Sequence, residues 1–121
     1  MVAPEHFTVL VSAARTTAQT SADYLNRGHR GLHLVIDVTS VTATPVLTVT
    51  IEGKDANGIY YDVLEGAAIS ATGTTVLKVY PGLPGSANAV ANDVLPPVWR
   101  VTVAVADADS ATYSIGANLV P

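Results

Sequence analysis

Carboxylates, histidines and tyrosines are the side chains through which this chain could do chemistry. It has no cysteine, so thiol nucleophiles, thiolate zinc sites and disulfides are excluded from the start. Asp107, Asp109 and Ser110, with Asp37, offer the oxygen ligands that a hard divalent cation needs. Their spacing lacks the later glycine and distal glutamate of a calcium loop, and acids in tight turns ordinarily bond their own backbone. A turn is expected there. His6, His29 and His33 could hold zinc or act as a general base. His29 and His33 straddle a turn and a strand start, which is not a ligand spacing, and His33 falls on the face opposite Leu32 and Leu34. No metal site and no cofactor are expected.

Catalysis by side chains alone fares no better. Serine, histidine and aspartate all occur, but no serine sits in a G-x-S-x-G elbow, and Gly85-Ser86 lies in a loop without visible oxyanion support. Glu52, Asp55, Asp62 and Glu65 mark strand ends around one hairpin, where acids are usually solvated rather than converging as a glycosidase pair. Pro81-Gly82-Leu83-Pro84-Gly85 lacks the lysine and following helix of a phosphate loop. The chain is not expected to be an enzyme. An aromatic platform for sugar is the remaining binding chemistry: Tyr60 and Tyr61 are adjacent and must face opposite ways, so at most Tyr60, Tyr80 and Tyr24 share an outer face. Packing in a core or an interface is the alternative use of the same rings.

The elements that would position these residues are strands. Trp99, Val101, Val103 and Val105 alternate with polar or small residues, as do Tyr113, Ile115, Ala117 and Leu119. Period-two alternation puts each apolar set on one face of a pleated strand. Ala106–Ser110 is short enough to join the two runs as an antiparallel hairpin. Leu32–Ser40 places Leu32, Leu34, Ile36 and Val38 inward, and Val46–Glu52 does the same with Leu47, Val49 and Ile51. Asn57-Gly58 suits a type I′ turn or a bulge before Ile59–Leu64, with Ile59, Tyr61 and Val63 on one face. Ala67–Ala71 reads as a short strand and Thr74–Tyr80 as a longer one. In His6–Ala13, Phe7, Val9, Val11 and Ala13 are expected on one side. The Pro/Gly-rich stretch 81–96 has no strand signal and is expected to be a functional loop or arm. Seven to nine short strands imply an all-β antiparallel sandwich, jelly-roll or immunoglobulin-like. Residues 1–30 would form an N-terminal arm and first strand joined to a core at 31–121.

Composition bounds the partners. Of 121 residues 49% are hydrophobic and 13% charged, about half the usual charged share, so much of the surface is expected to meet other protein. A net charge of −4 with six scattered Lys and Arg argues against nucleic acid. The start, with an early acid and only a short apolar run, does not read as a signal peptide, and no run approaches a membrane span. A cytoplasmic site of synthesis is expected.

From Gly31 to Leu119 the chain carries an "LVIDVT" strand, an "LTVTIEGKDANGIYYDVL" hairpin, "ISATGTTVLKVYPG", and a closing "NDVLPPVWRVTVAVADADSATYSIGANL". This succession resembles a group of small proteins from tailed bacteriophages and prophages. The resemblance implies a virion structural component, located in the capsid. It points first to a capsid decoration (cement) protein, with a major capsid protein or other virion proteins as partner and a homo-oligomer, favouring a trimer. A tail or head–tail protein and a carbohydrate-binding module are the alternatives. The contacts would come from Val2–Asn26, with Phe7 and Tyr24, and from Pro81–Pro96, with Leu83, Val90 and Val94. Both stretches are mixed polar-apolar segments expected to gain order on binding. Tyr60 and Tyr80 complete the expected partner-binding set.

Overall fold

Alternating apolar residues build strands along nearly the whole chain, which the computed structural model describes over residues 5–121. Ten strands form among the described residues: β1 (Glu5–Arg15), β2 (Gln19–Thr20), β3 (Tyr24–Leu25), β4 (Gly31–Val41), β5 (Leu47–Lys54), β6 (Tyr60–Glu65), β7 (Gly73–Val79), β8 (Val90–Ala91), β9 (Val98–Val105) and β10 (Ala111–Val120). Seven are long; the three two-residue strands at sheet margins take the number past the seven to nine expected. A front sheet runs β1-β10-β4-β7-β8, and a back sheet runs β2-β9-β5-β6 with β3 also on β9. Only the β7–β8 pairing is parallel. With β2 and β3 taken as one interrupted strand and β8 set aside, eight strands run in the orders 1-8-3-6 and 2-7-4-5. That is a jelly roll, and it decides between the two sandwiches the sequence left open.

The inward faces meet as the alternation requires. Leu32, Leu34 and Ile36 of β4 and Ile115 of β10 pack against Val49 and Ile51 of β5 and Val101 and Val103 of β9, all essentially without solvent exposure. Trp99 and Tyr113 are the largest fully buried side chains. Gly31 fits where a side chain would not: a Cβ there would collide with the Val79 carbonyl and the Tyr80 ring.

Four expectations change. First, β9 and β10 are not a hairpin; they lie in opposite sheets, and Ala106–Ser110 crosses between them. Alternation says which face of a strand is buried but not which strand lies beside it, and two strands stacked across a core show the same pattern as two paired ones. Second, β1 is an integral edge strand paired along its length with β10. The expected arm is therefore already ordered from Glu5 onward; its Val2–Pro4 part lies outside the described residues. Register irregularities after Thr8 and after Leu10 change the phase, so Phe7, Leu10 and Ala13 sit opposite the inward residues Ala117, Ile115 and Tyr113. Val11, expected inside, is 69% exposed. Third, Ala67–Ala71 makes only an isolated bridge, Ile69 to Leu47. Fourth, a shift opposite Ile51/Glu52 brings Leu64 into the core beside a half-buried Val63, and Ile59 is left exposed in the turn.

The β5–β6 turn takes the bulge rather than type I′. Positive φ falls on Gly58 (+83°), the Gly58 amide donates to the Asp55 carbonyl, and the Asp55 carboxylate accepts from the Asn57 and Ile59 amides. The stretch 81–96 is also pinned rather than loose. Leu95 is buried, its amide donates to the Arg30 carbonyl, and the Asn88 side-chain amide donates to the Glu65 carbonyl. Strand directions then gather residues 25–31, 54–60 and 80–97 at one end of the sandwich, and 41–47, 65–73 and 105–111 at the other.

Candidate interaction surface

The end bearing residues 25–31, 54–60 and 80–97 collects most of the large apolar side chains left in solvent among the described residues. Leu25 (64% exposed), Ile59 (60%), Tyr61 (47%) and Val94 (51%) lie at or beside it, while Val11 and Val76 are exposed on the front sheet. Exposed apolar groups concentrated at one end of a molecule mark a contact surface. Asn26 organises the loops beneath them: its side-chain amide donates to the His29 carbonyl (2.6 Å) and the Leu95 carbonyl (3.0 Å), and its oxygen accepts from the His29 amide (2.8 Å). The Asn26 backbone amide donates to the Pro97 carbonyl.

At the β1 side of this end an open cleft of about 420 Å³ is lined by Glu5, Phe7, Asp23, Tyr24, Leu25 and Arg27. Its apolar wall is an aromatic cluster. Tyr24 stands 4.8 Å from Phe7 and 4.9 Å from Trp99, ring centre to ring centre, with both pairs tilted. The cluster joins β1 of the front sheet to β3 and β9 of the back sheet. Burial raises the Tyr24 phenol above its ordinary range, partly offset by a hydrogen bond with Ser21.

From the cleft a charged network continues over the outer face of the back sheet. Asp23 accepts from the Lys54 ammonium (3.0 Å) and from the Tyr60 hydroxyl (2.9 Å). Those two hydrogen bonds, Lys54 first, hold the Asp23 carboxyl below its usual range, and the bond to Asp23 raises Lys54. Arg100 donates to Glu52 (2.7 Å) and stacks on the Tyr60 ring, 3.4 Å from its centre.

The expected site residues are distributed as follows. Phe7 and Tyr24 meet in the cleft wall. Tyr60 is on the back sheet with Arg100 over its ring; Tyr80 follows β7 of the front sheet and donates its hydroxyl to the Pro121 carbonyl. Tyr24, Tyr60 and Tyr80 therefore do not line up as one stacking platform. Leu83 is half-buried, Val90 is half-buried in β8, and Val94 projects into solvent. Leu25, Ile59 and Tyr61 were not among the expected set; Leu25 lies in the short edge strand β3 and Ile59 and Tyr61 flank the β5–β6 turn, positions that an alternation pattern does not mark as exposed. Asp107 accepts from the Asp109 amide, the self-bonding expected of a turn, while Asp109 accepts from the Thr44 amide in the β4–β5 loop beside it. No group of three His, Asp or Glu side chains gathers to hold a metal ion among the described residues.

The whole sandwich is similar to known structures. SPBc2 prophage-derived protein YomS matches over 98% of this chain and 96% of its own, with a TM-score of 0.56 and 15% identity. The likeness is one of fold. A chain in the structure of infectious bursal disease virus Gx strain matches with a TM-score of 0.51 and 13% identity, over 98% of this chain and 33% of that longer one. No family model and no curated protein sequence matches the chain.

Proposed function

We propose that this chain is a non-enzymatic structural subunit of a tailed-phage virion, and that within the virion it decorates the outside of the expanded head. The observation that carries the reading is the jelly roll shared end to end with a prophage-derived protein. The tailed-phage sequence signature and the low charge of the chain point the same way. In this role the exposed apolar end, with Leu25, Ile59, Tyr61 and Val94, seats on the major capsid protein, and the Phe7–Tyr24 cleft accepts part of that surface. Fixed loops suit such docking, because little ordering entropy is spent on contact. Closed symmetry is the default for assemblies, and a trimer matches threefold positions on a head.

The test is co-sedimentation of purified protein with expanded heads, unexpanded heads and isolated tails from a phage that encodes it. The reading expects saturable binding to expanded heads alone. Binding only to tails would overturn it. A Leu25→Asp/Val94→Asp double variant should lose head binding while keeping its fold by circular dichroism.

A further inference from the structure

Only 13% of this chain is charged, and most of those groups are committed within the fold. Arg15 bonds the Val11, Ala13 and Tyr113 carbonyls; Lys54 and Arg100 are ion-paired. Asp37 accepts from Thr74, Asp55 holds its hairpin turn, and Asp93, Asp107 and Asp109 accept from backbone amides. Outside the loops, and apart from Glu5 at the start of β1, the described groups with no such partner fall into two sets. On the outer face of the front sheet, Lys78 lies directly opposite His33, His33 opposite Asn118, and Asn118 opposite His6, one exposed row across four strands. On β6, at the edge of the back sheet, Asp62 and Glu65 are exposed.

Among the described residues Lys78 has no anionic partner, and the imidazoles of His33 and His6 that continue its row are held by no hydrogen bond, so the row offers an outward-facing cation and two further polar groups. On the same face Asp37 is four residues along β4 and bonded to Thr74; Glu5, next to His6 in sequence, is opposite Leu119 and turns the other way, into the cleft beside Phe7. Among the described residues no layer covers this face. The adjoining row, Thr8–Gly116–Val35–Val76, is small, flat and uncharged, so another protein can approach closely.

We propose that a second copy of this chain is the occupant: Asp62 and Glu65 of one copy dock on the Lys78–His33–His6 row of the next. Unlike patches meeting head to tail make a heterologous contact, which closes into a ring when the rotation permits. Exposed ion pairs are individually weak and salt-screened, so the association is reversible and salt-sensitive, and the flat row beside them supplies the apolar contact.

Sedimentation of the whole protein tests this apart from any capsid. The wild type should self-associate into a closed oligomer, more tightly at low salt than at high salt. Lys78→Glu should weaken association about tenfold, as should the Asp62→Lys/Glu65→Lys pair. Joining all three substitutions in one chain should restore most of the loss, which a merely misfolded variant would not show. A strictly monomeric wild type, or an oligomer indifferent to these charges, would overturn the proposal.

Discussion

The smallest informative unit in this protein is a phenol with nothing to bond. The Tyr113 hydroxyl is fully buried without a hydrogen-bond partner in the structure, and burial raises its pKa while Arg15 nearby pulls the other way. Removing an unsatisfied buried hydroxyl removes a desolvation penalty, whereas the ring keeps its packing. Tyr113→Phe should therefore be neutral or stabilise by about 1 kcal/mol in denaturant unfolding, against the usual sign for a core substitution. A contrasting group is Asp23, whose folded pKa lies below its unfolded one because Lys54 and Tyr60 donate to it. Its contribution is present above the ordinary carboxylate range and is lost as pH falls through that range toward the lowered value. Lys54 is raised, so its share persists through neutral pH and fades only in alkali, as pH climbs through the raised value. Melting curves of wild type and Asp23→Asn should differ at neutral pH and converge in acid below about pH 4. A gap unchanged at low pH would mean that the carboxylate is not what holds β3 to the β5–β6 hairpin.

Elements were legible in proportion to how regular they are. The inward residues of β4, β5, β9 and β10 follow from alternation alone, and their burial matches it residue by residue. In β1 the same reasoning misplaced Val11, because one extra residue in a strand inverts every side chain after it; in β6 it missed Leu64, which a bulge brings into the core beside a half-buried Val63. Pairing was not legible either. A five-residue link can turn a hairpin or cross roughly 10 Å to the facing sheet, and β9–β10 does the second. The loops look structureless in sequence because their order comes from distant partners, Asn26 with Leu95 and Asn88 with Glu65. Asn26→Ala should thus cost about 2–3 kcal/mol, from its three lost hydrogen bonds, and should speed amide exchange at His29 and Leu95. Unchanged exchange at those two amides would show that the loop end is held by something else.

At the scale of the molecule, a jelly roll presents two ends and two outer faces, and this chain treats them differently. One end leaves Leu25, Ile59, Tyr61 and Val94 in solvent; the back face pairs Glu52 with Arg100 and Asp23 with Lys54 but leaves Asp62 and Glu65 exposed on β6; the front face holds Lys78, His33 and His6 in one exposed row. That division suits a subunit with one contact for a shell and another for its neighbours. The sequence signature alone pointed to a phage virion; the surfaces emerge only once four strands distant in sequence lie side by side. Electron cryomicroscopy of intact particles, from a phage that encodes this chain, tests the central claim most directly. The account predicts jelly-roll density on the outside of the expanded head, its apolar loop end turned toward the shell, and none on unexpanded heads. Density for the chain within the tail, or a bare head on particles that contain the protein, would contradict it.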